Sequence, residues 1–109
     1  MPDLQVSYCL WAPDHKTDAA AQKRLTLQNE HSAYFEALRA KGAILYGGAI
    51  TTEDVQLPLT ARPDFAGSVV VYKAASLEAV WELVEGDPFY KEGVWDKDAI
   101  KIVPVLSRA

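Results

Sequence analysis

The sequence predicts an α+β domain of order β-α-β-β-α-β, the ferredoxin-like arrangement: a four-stranded antiparallel sheet with two main helices on one face. Two observations carry this. Four segments have strand character and two longer ones have helical composition and periodicity. The helical segments follow the first and the third strand, the order in which hairpin and crossover connections alternate. The 109 residues are expected to form one domain over 1–109, large enough for a modest core.

The elements follow in order. Leu4 to Trp11 alternates, with Leu4, Val6, Tyr8 and Leu10 on one side and Gln5, Ser7, Cys9 and Trp11 on the other, the period of a strand. Ala12 to Asp18 is a loop by composition. Ala19 to Lys41 holds no Pro or Gly and is rich in Ala, Leu, Gln, Glu, Lys and Arg, which predicts one long helix. Leu27, His31, Tyr34, Phe35 and Leu38 share its inward stripe, and Gly42 closes it as a C-terminal cap. Ala43 to Ile50 is a second strand, interrupted by Gly47-Gly48 where a bulge or a close approach to the backbone is expected. Thr51 to Asp64, with two prolines, is a long loop of the kind that borders functional pockets. Gly67 to Lys73 is the third strand. Ser76 caps a helix over Leu77–Glu85 with Leu77, Val80, Trp81 and Val84 inward, and Gly86 ends it. Asp87-Pro88 opens a short helical turn that ends near Gly93. Ile100 to Leu106 is the last strand.

The two sides of these strands do not divide into apolar and polar. Val69 and Val71 oppose Val70 and Tyr72, and Val103 and Val105 oppose Ile100 and Ile102. A sheet with one solvated face alternates more cleanly. The face opposite the helices is therefore expected to be covered, most simply by a second copy of the chain in a homodimer.

Fifteen acidic against eleven basic residues leave no basic footprint for phosphate, so nucleic acid is not an expected partner. No apolar run reaches membrane-span length, and Met1-Pro2-Asp3 opens no charged-then-apolar signal region. One cysteine, Cys9, excludes an intrachain disulfide and fits a reducing, cytoplasmic compartment. Two histidines without ligand spacing predict no metal site. Gly47-Gly48 is not followed by the Lys-Ser/Thr of a phosphate loop, and Ser7 and Ser68 lack a nucleophile elbow. No cofactor is expected.

The chemistry-bearing residues each admit two readings. His31 is a half-buried core histidine, or a general acid–base whose imidazole titrates near working pH. Asp87 before Pro88 is an ordinary helix cap, or the carboxylate that orients an imidazole and stabilises its cation. One oxygen can cap while the other orients. Arg24, two turns before His31, meets an anionic substrate group bidentately, or pairs with a neighbouring acid. Tyr8, Tyr46 and Tyr72 lie on three strands and either line a pocket or pack across strands. Arg62 is the only cation of the long loop. Cys9 reads as a small hydrophobe, His15 as a solvated loop residue, and Trp81 and Trp95 as structural, with Trp95 at a dimer seam.

Arg24 with His31, then Leu38, Gly42 and Gly47-Gly48, followed by Asp87-Pro88-Phe89, Gly93-Val94-Trp95 and a last strand holding Pro104, resembles the YciI-like (YCII-related) family from Leu4 to Val105. The resemblance implies a dimeric α+β barrel, two ferredoxin-like sheets packed face to face. It also implies an active site built from the helix histidine, here His31, and the aspartate of the Asp-Pro-Phe element, here Asp87. Arg24, Tyr8, Tyr46 and Phe89 are the candidate substrate contacts. Members of this family have been proposed as small lyases, isomerases or dehalogenases. The loop after the first strand and the stretch from Thr51 to Phe65 depart from the family pattern.

Two functions of different class follow. The first is a cofactor-free enzyme in which a His31–Asp87 dyad moves a proton on a small enolisable, lactone or cyclic aromatic-type substrate, by isomerisation, elimination, decarboxylation or dehalogenation. The second is a non-catalytic small-molecule-binding or interaction module of the same fold.

Overall fold

The computed structural model describes residues 3–108; Met1 and Pro2, read above for a targeting signal, and Ala109 lie outside it. The elements are β1 (Leu4–Pro13), α1 (Asp18–Thr26), α2 (Gln28–Ala40), β2 (Ile44–Thr51), β3 (Phe65–Tyr72), α3 (Leu77–Glu85), α4 (Pro88–Lys91) and β4 (Lys101–Arg108). The strands form one sheet in the order β2-β3-β1-β4, every neighbouring pair antiparallel. This is the ferredoxin-like α+β fold that the element order predicts.

The helix expected over Ala19–Lys41 is two helices, broken at Leu27 (φ −95°, ψ 2°). No Pro or Gly marks the break. The Thr26 hydroxyl donates to the Gln22 carbonyl at 2.8 Å, a back-bond that competes with the helical ladder and bends it. At the far end Gly42 takes φ +79°. The Ala43 amide donates to Leu38 and the Gly42 amide to Arg39, the paired bonds of a Schellman cap.

Register fixes which residues meet. Tyr8 lies opposite Tyr72, Leu10 opposite Val70 and Ala12 opposite Ser68, all facing the helices. Leu10, Val70 and Tyr72 join Leu38, Val80, Val84, Phe89, Val94 and Trp95 in the core. Burying one such aliphatic side chain contributes about 1.5–3 kcal/mol. Trp95, expected at a dimer seam, is fully buried here. Leu77, expected on the buried stripe of α3, is exposed in the first turn. Alternation sends Cys9, Trp11, Val69, Val71, Val103 and Val105 to the opposite face.

Glycine in β2 serves close packing. A Cβ on Gly47 would collide with the Phe35 ring, so glycine lets α2 settle onto this strand. The irregularities of the strand fall on either side of the glycines, where the register shifts between Ile44 and Tyr46 and between Ile50 and Thr51. No helix among the described residues is long and apolar enough to cross a membrane.

Candidate active site

The site grows from two helix starts and a bridge. Asp87 is the N-cap of α4, with Pro88 in its first turn, and Oδ1 accepts the Phe89 amide at 2.9 Å. The same Oδ1 meets His31 Nδ1 at 2.8 Å. Both duties therefore fall on one oxygen, where the sequence reading divided them between two. Asp87 is 3% exposed, so the carboxylate is screened little by solvent.

An ionised carboxylate accepts only, so Nδ1 donates to Asp87, and Nε2 is the nitrogen left to exchange a proton. Among the described residues Nε2 meets no hydrogen-bond partner. The ring is held by aromatic contact as well. Phe89 stacks on it at 3.9 Å between centroids and 4° between planes, and Trp95 meets it edge-on at 6.2 Å. Such pairs add about 0.5–1.5 kcal/mol beyond buried area and fix the plane of the imidazole.

Beyond β1, Asp14 bridges to Trp95, and the Asp96 amide returns to the Pro13 carbonyl at 2.8 Å. This bridge sets Asp14 beside Arg24. The guanidinium forks onto Asp14, Nε to Oδ2 at 2.6 Å and Nη2 to Oδ1 at 2.9 Å. Nη2 also reaches the Gly67 carbonyl at 2.9 Å and Ser68 Oγ at 3.0 Å. Arg24 lies over the Phe89 ring at 4.8 Å and is 5% exposed. Its fork is thus used within the protein, the acid-pairing reading of the two given for Arg24 in place of a bidentate hold on substrate; only Nη1 has no partner among the described residues.

A cavity of about 470 Å³ opens between α2 and the β2–β3 half of the sheet. Its walls include Arg24, His31, Phe35, Gly47, Phe65 and Ser68, with Arg62 and Glu36 as charges. The volume suits a single substituted ring. Arg62 lies over Phe65 at 4.8 Å, so the long loop borders the cavity through Arg62, packed on the first residue of β3. Behind the dyad, Tyr34 donates to the Leu83 carbonyl at 2.6 Å. Burial, then the Asp87 charge, pushes the Tyr34 and Tyr72 phenols above their ordinary value; neither is a base at neutral pH.

The structure brings together His31, Asp87, Phe89 and Arg24 and keeps Tyr8 and Tyr46 apart from them. Phe89 lies behind the imidazole and does not line the cavity. Tyr8 faces the helices but stands opposite Tyr72 and Pro104, away from the cavity wall. Tyr46 pairs with Val71 after the register shift and is 65% exposed on the open face. Parity within one strand could not foresee that shift. Sequence reasoning passed over Asp14, Ser68 and Trp95 as parts of this site. The available signal was a serine at an inward position of the valine-rich run Gly67 to Val71.

A family model described as the YCII-related domain matches residues 6–103. The chain is 32% identical over 85 residues to the Aspercryptin biosynthesis cluster protein B of Emericella nidulans, covering 78% of this chain. It spans only 54% of that relative's length. Protein YciI of Escherichia coli O6:H1 is 32% identical over 94 residues, 86% of this chain and 92% of that protein. Among solved structures, the 5-chloro-2-hydroxyhydroquinone dehydrochlorinase of Burkholderia phenoliruptrix AC1100, in complex with 2,5-dihydroxybenzoquinone, is similar with a TM-score of 0.68 at 26% identity, covering 94% of this chain and 92% of that one. The family match runs from the first strand to the last, and the chain belongs to the YCII-related family.

Proposed function

We propose that this chain is a small enzyme that moves a proton on a cyclic, oxygen-bearing organic substrate, with His31 as general acid–base and Asp87 as its partner. The observation that carries the reading is the placement of the imidazole. Nδ1 is committed to a buried carboxylate at 2.8 Å, the ring is clamped by Phe89 and Trp95, and His31 lines the cavity. A base held in this way loses little entropy in reaching its transition state.

Nε2 takes a proton from a ring hydroxyl or from carbon beside a carbonyl. The electron pair passes to the ring oxygen, and the imidazolium is stabilised by Asp87. Returning the proton to another carbon isomerises the substrate. Expelling halide as the electrons return eliminates hydrogen halide, and expelling hydroxide with the help of that proton eliminates water. Proton transfer of this kind needs no cofactor. The dehydrochlorinase resemblance supports the elimination branch: on a chlorinated hydroquinone the proton taken from one hydroxyl is returned to the chlorine-bearing carbon, and loss of the second hydroxyl proton then expels chloride and leaves the quinone, a net loss of HCl.

The reading includes a homodimer. Trp11, Tyr46, Val103 and Val105 stand exposed on the face away from the helices, and a second copy packed there closes the two sheets into a barrel.

The test is turnover of chlorinated hydroxyhydroquinone, followed by chloride release. His31→Ala is expected to lower kcat by about 10²–10⁴-fold with the fold retained by circular dichroism. Asp87→Asn keeps an oxygen for both hydrogen bonds and removes the charge, so about 10–100-fold is expected. Binding without turnover in the native protein supports the binding-module reading and overturns this one.

A further inference from the structure

Ser68 is 3% exposed and lines the cavity. Its Oγ receives Arg24 Nη2 at 3.0 Å and Trp95 Nε1 at 3.1 Å. Neither partner can accept a hydrogen bond, because guanidinium and indole N–H groups donate only. A serine oxygen has two lone pairs, and both are taken. Its own hydrogen finds no acceptor among the described residues. The cavity is the space left to it.

We infer that the Ser68 hydroxyl is a hydrogen-bond donor aimed into the cavity, and that it holds the ionised oxygen of the ligand, an enolate, phenolate or related oxyanion. The inference deepens the proton-transfer reading and rests on it for the origin of that charge. When His31 removes a proton, negative charge gathers on a ring oxygen, and a donor already in place stabilises it without reorganising. Arg24 strengthens the donor. A cation donating to Oγ polarises the O–H bond, and hydrogen bonds in such a chain reinforce one another. Arg24 itself lines the same cavity, and its Nη1 has no partner among the described residues. A neutral or cationic group gains little here, so the site selects oxyanions over uncharged isosteres.

This arrangement also accounts for Asp14. It takes the fork of Arg24 and so leaves the cation as a polariser of Ser68 in place of a bidentate clamp on the ligand.

The probe is 4-nitrophenol, whose neutral and ionised forms absorb at different wavelengths. Titrated into the native protein near its own pKa, the bound phenol is expected to be more ionised than the free one. Ser68→Ala is expected to weaken phenolate binding by about 10–100-fold and to return the bound phenol toward its free ionisation. Ser68→Thr keeps the hydroxyl and is expected to keep the shift. If Ser68→Ala does not fold, because Trp95 and Arg24 lose an acceptor, Ser68→Cys carries the test with a weak donor of similar size. The same titration on His31→Gln separates the two readings. A phenolate preference that survives His31→Gln and is lost in the Ser68 variant belongs to Ser68. A preference lost in His31→Gln and intact in the Ser68 variant belongs to the imidazolium and overturns the inference. Failure of the native protein to bind millimolar phenolate overturns it as well. Turnover is not read, so loss of the general-base role would leave the result standing.

Discussion

The two faces of the sheet hold similar numbers of apolar side chains and treat them differently. On the helix face, Leu10, Val70 and Tyr72 vanish into a core, and the polar groups among them are bonded to one another: Arg24 to Asp14, Ser68 to Arg24 and Trp95, His31 to Asp87. On the open face Trp11 is 44% and Tyr46 65% exposed, and among the described residues no such network joins them. Burial without pairing is costly for polar groups. A chain that intends chemistry on one face must therefore wire that face internally, whereas an apolar face awaiting a partner needs only shape. The difference is what supports placing the proposed site on the wired face and the proposed interface on the open one.

The contrast is broken most strongly at Asp14. Its side chain and that of Arg24 are 9% and 6% exposed. Asp14→Ala leaves a buried guanidinium without its carboxylate, for which about 3–5 kcal/mol of lost stability is expected, read from the urea midpoint. Loss within about 0.5 kcal/mol, the range of an ordinary surface substitution, would mean that the ion pair is solvated and the helix face is wired less tightly than described.

Much of this was legible in the residues, and the remainder was hidden for identifiable reasons. Alternation in Leu4–Trp11 and the stripe Leu27–Leu38 report burial directly, so the element order and the inward faces follow from them. Asp87 before Pro88 announces a cap from local chemistry alone, and it is one. The break at Leu27 depends on a threonine hydroxyl folding back onto its own helix, which composition does not signal. Tyr46 was misdirected by a register shift at Leu45, a property of strand pairing. Arg24 meets Asp14 and Ser68, and Trp95 meets Ser68, across separate segments, with Asp14 and Trp95 joined by a bridge beyond β1, and no spacing in the sequence encodes that closure.

The open face is sharpened by adding charge to it. Val103 pairs with Cys9 and Trp11 with Lys101, both on the exposed side. In the proposed homodimer these residues lie inside an interface of about 1,200–2,000 Å². Trp11→Glu combined with Val103→Asp is expected to weaken association by about 2 kcal/mol or more, about 30-fold in Kd, with the helix-face circular dichroism unchanged. Light scattering across a dilution series measures it. A native protein that is already monomeric at micromolar concentration would remove the dimer and leave the open face to a different partner.

The mildest probe lies on the helix face, in the tyrosines that feel the dyad. Tyr72 has its phenol raised by burial first, then by the charge of Asp87 and by Tyr34, and Tyr34 is raised by burial and Asp87. Below about pH 10 both are protonated in the native and unfolded chains, and their contribution to stability is fully present. As pH rises through that value the unfolded chain releases its protons first. The native state then binds more protons than the unfolded one, so stability falls with rising pH. Tyr72→Phe removes one of these titrations and is expected to make the decline shallower between about pH 9 and 11, measured by urea midpoints at each pH. Asp87→Asn is expected to do the same more weakly, because it removes only the second cause and leaves burial. Parallel declines in the native protein and Asp87→Asn, with Tyr72→Phe shallower, would show that the Asp87 charge does not reach these phenols. The helix face would then be less of one electrostatic unit than its hydrogen bonds suggest, and the charge that supports His31 would be local to a single oxygen.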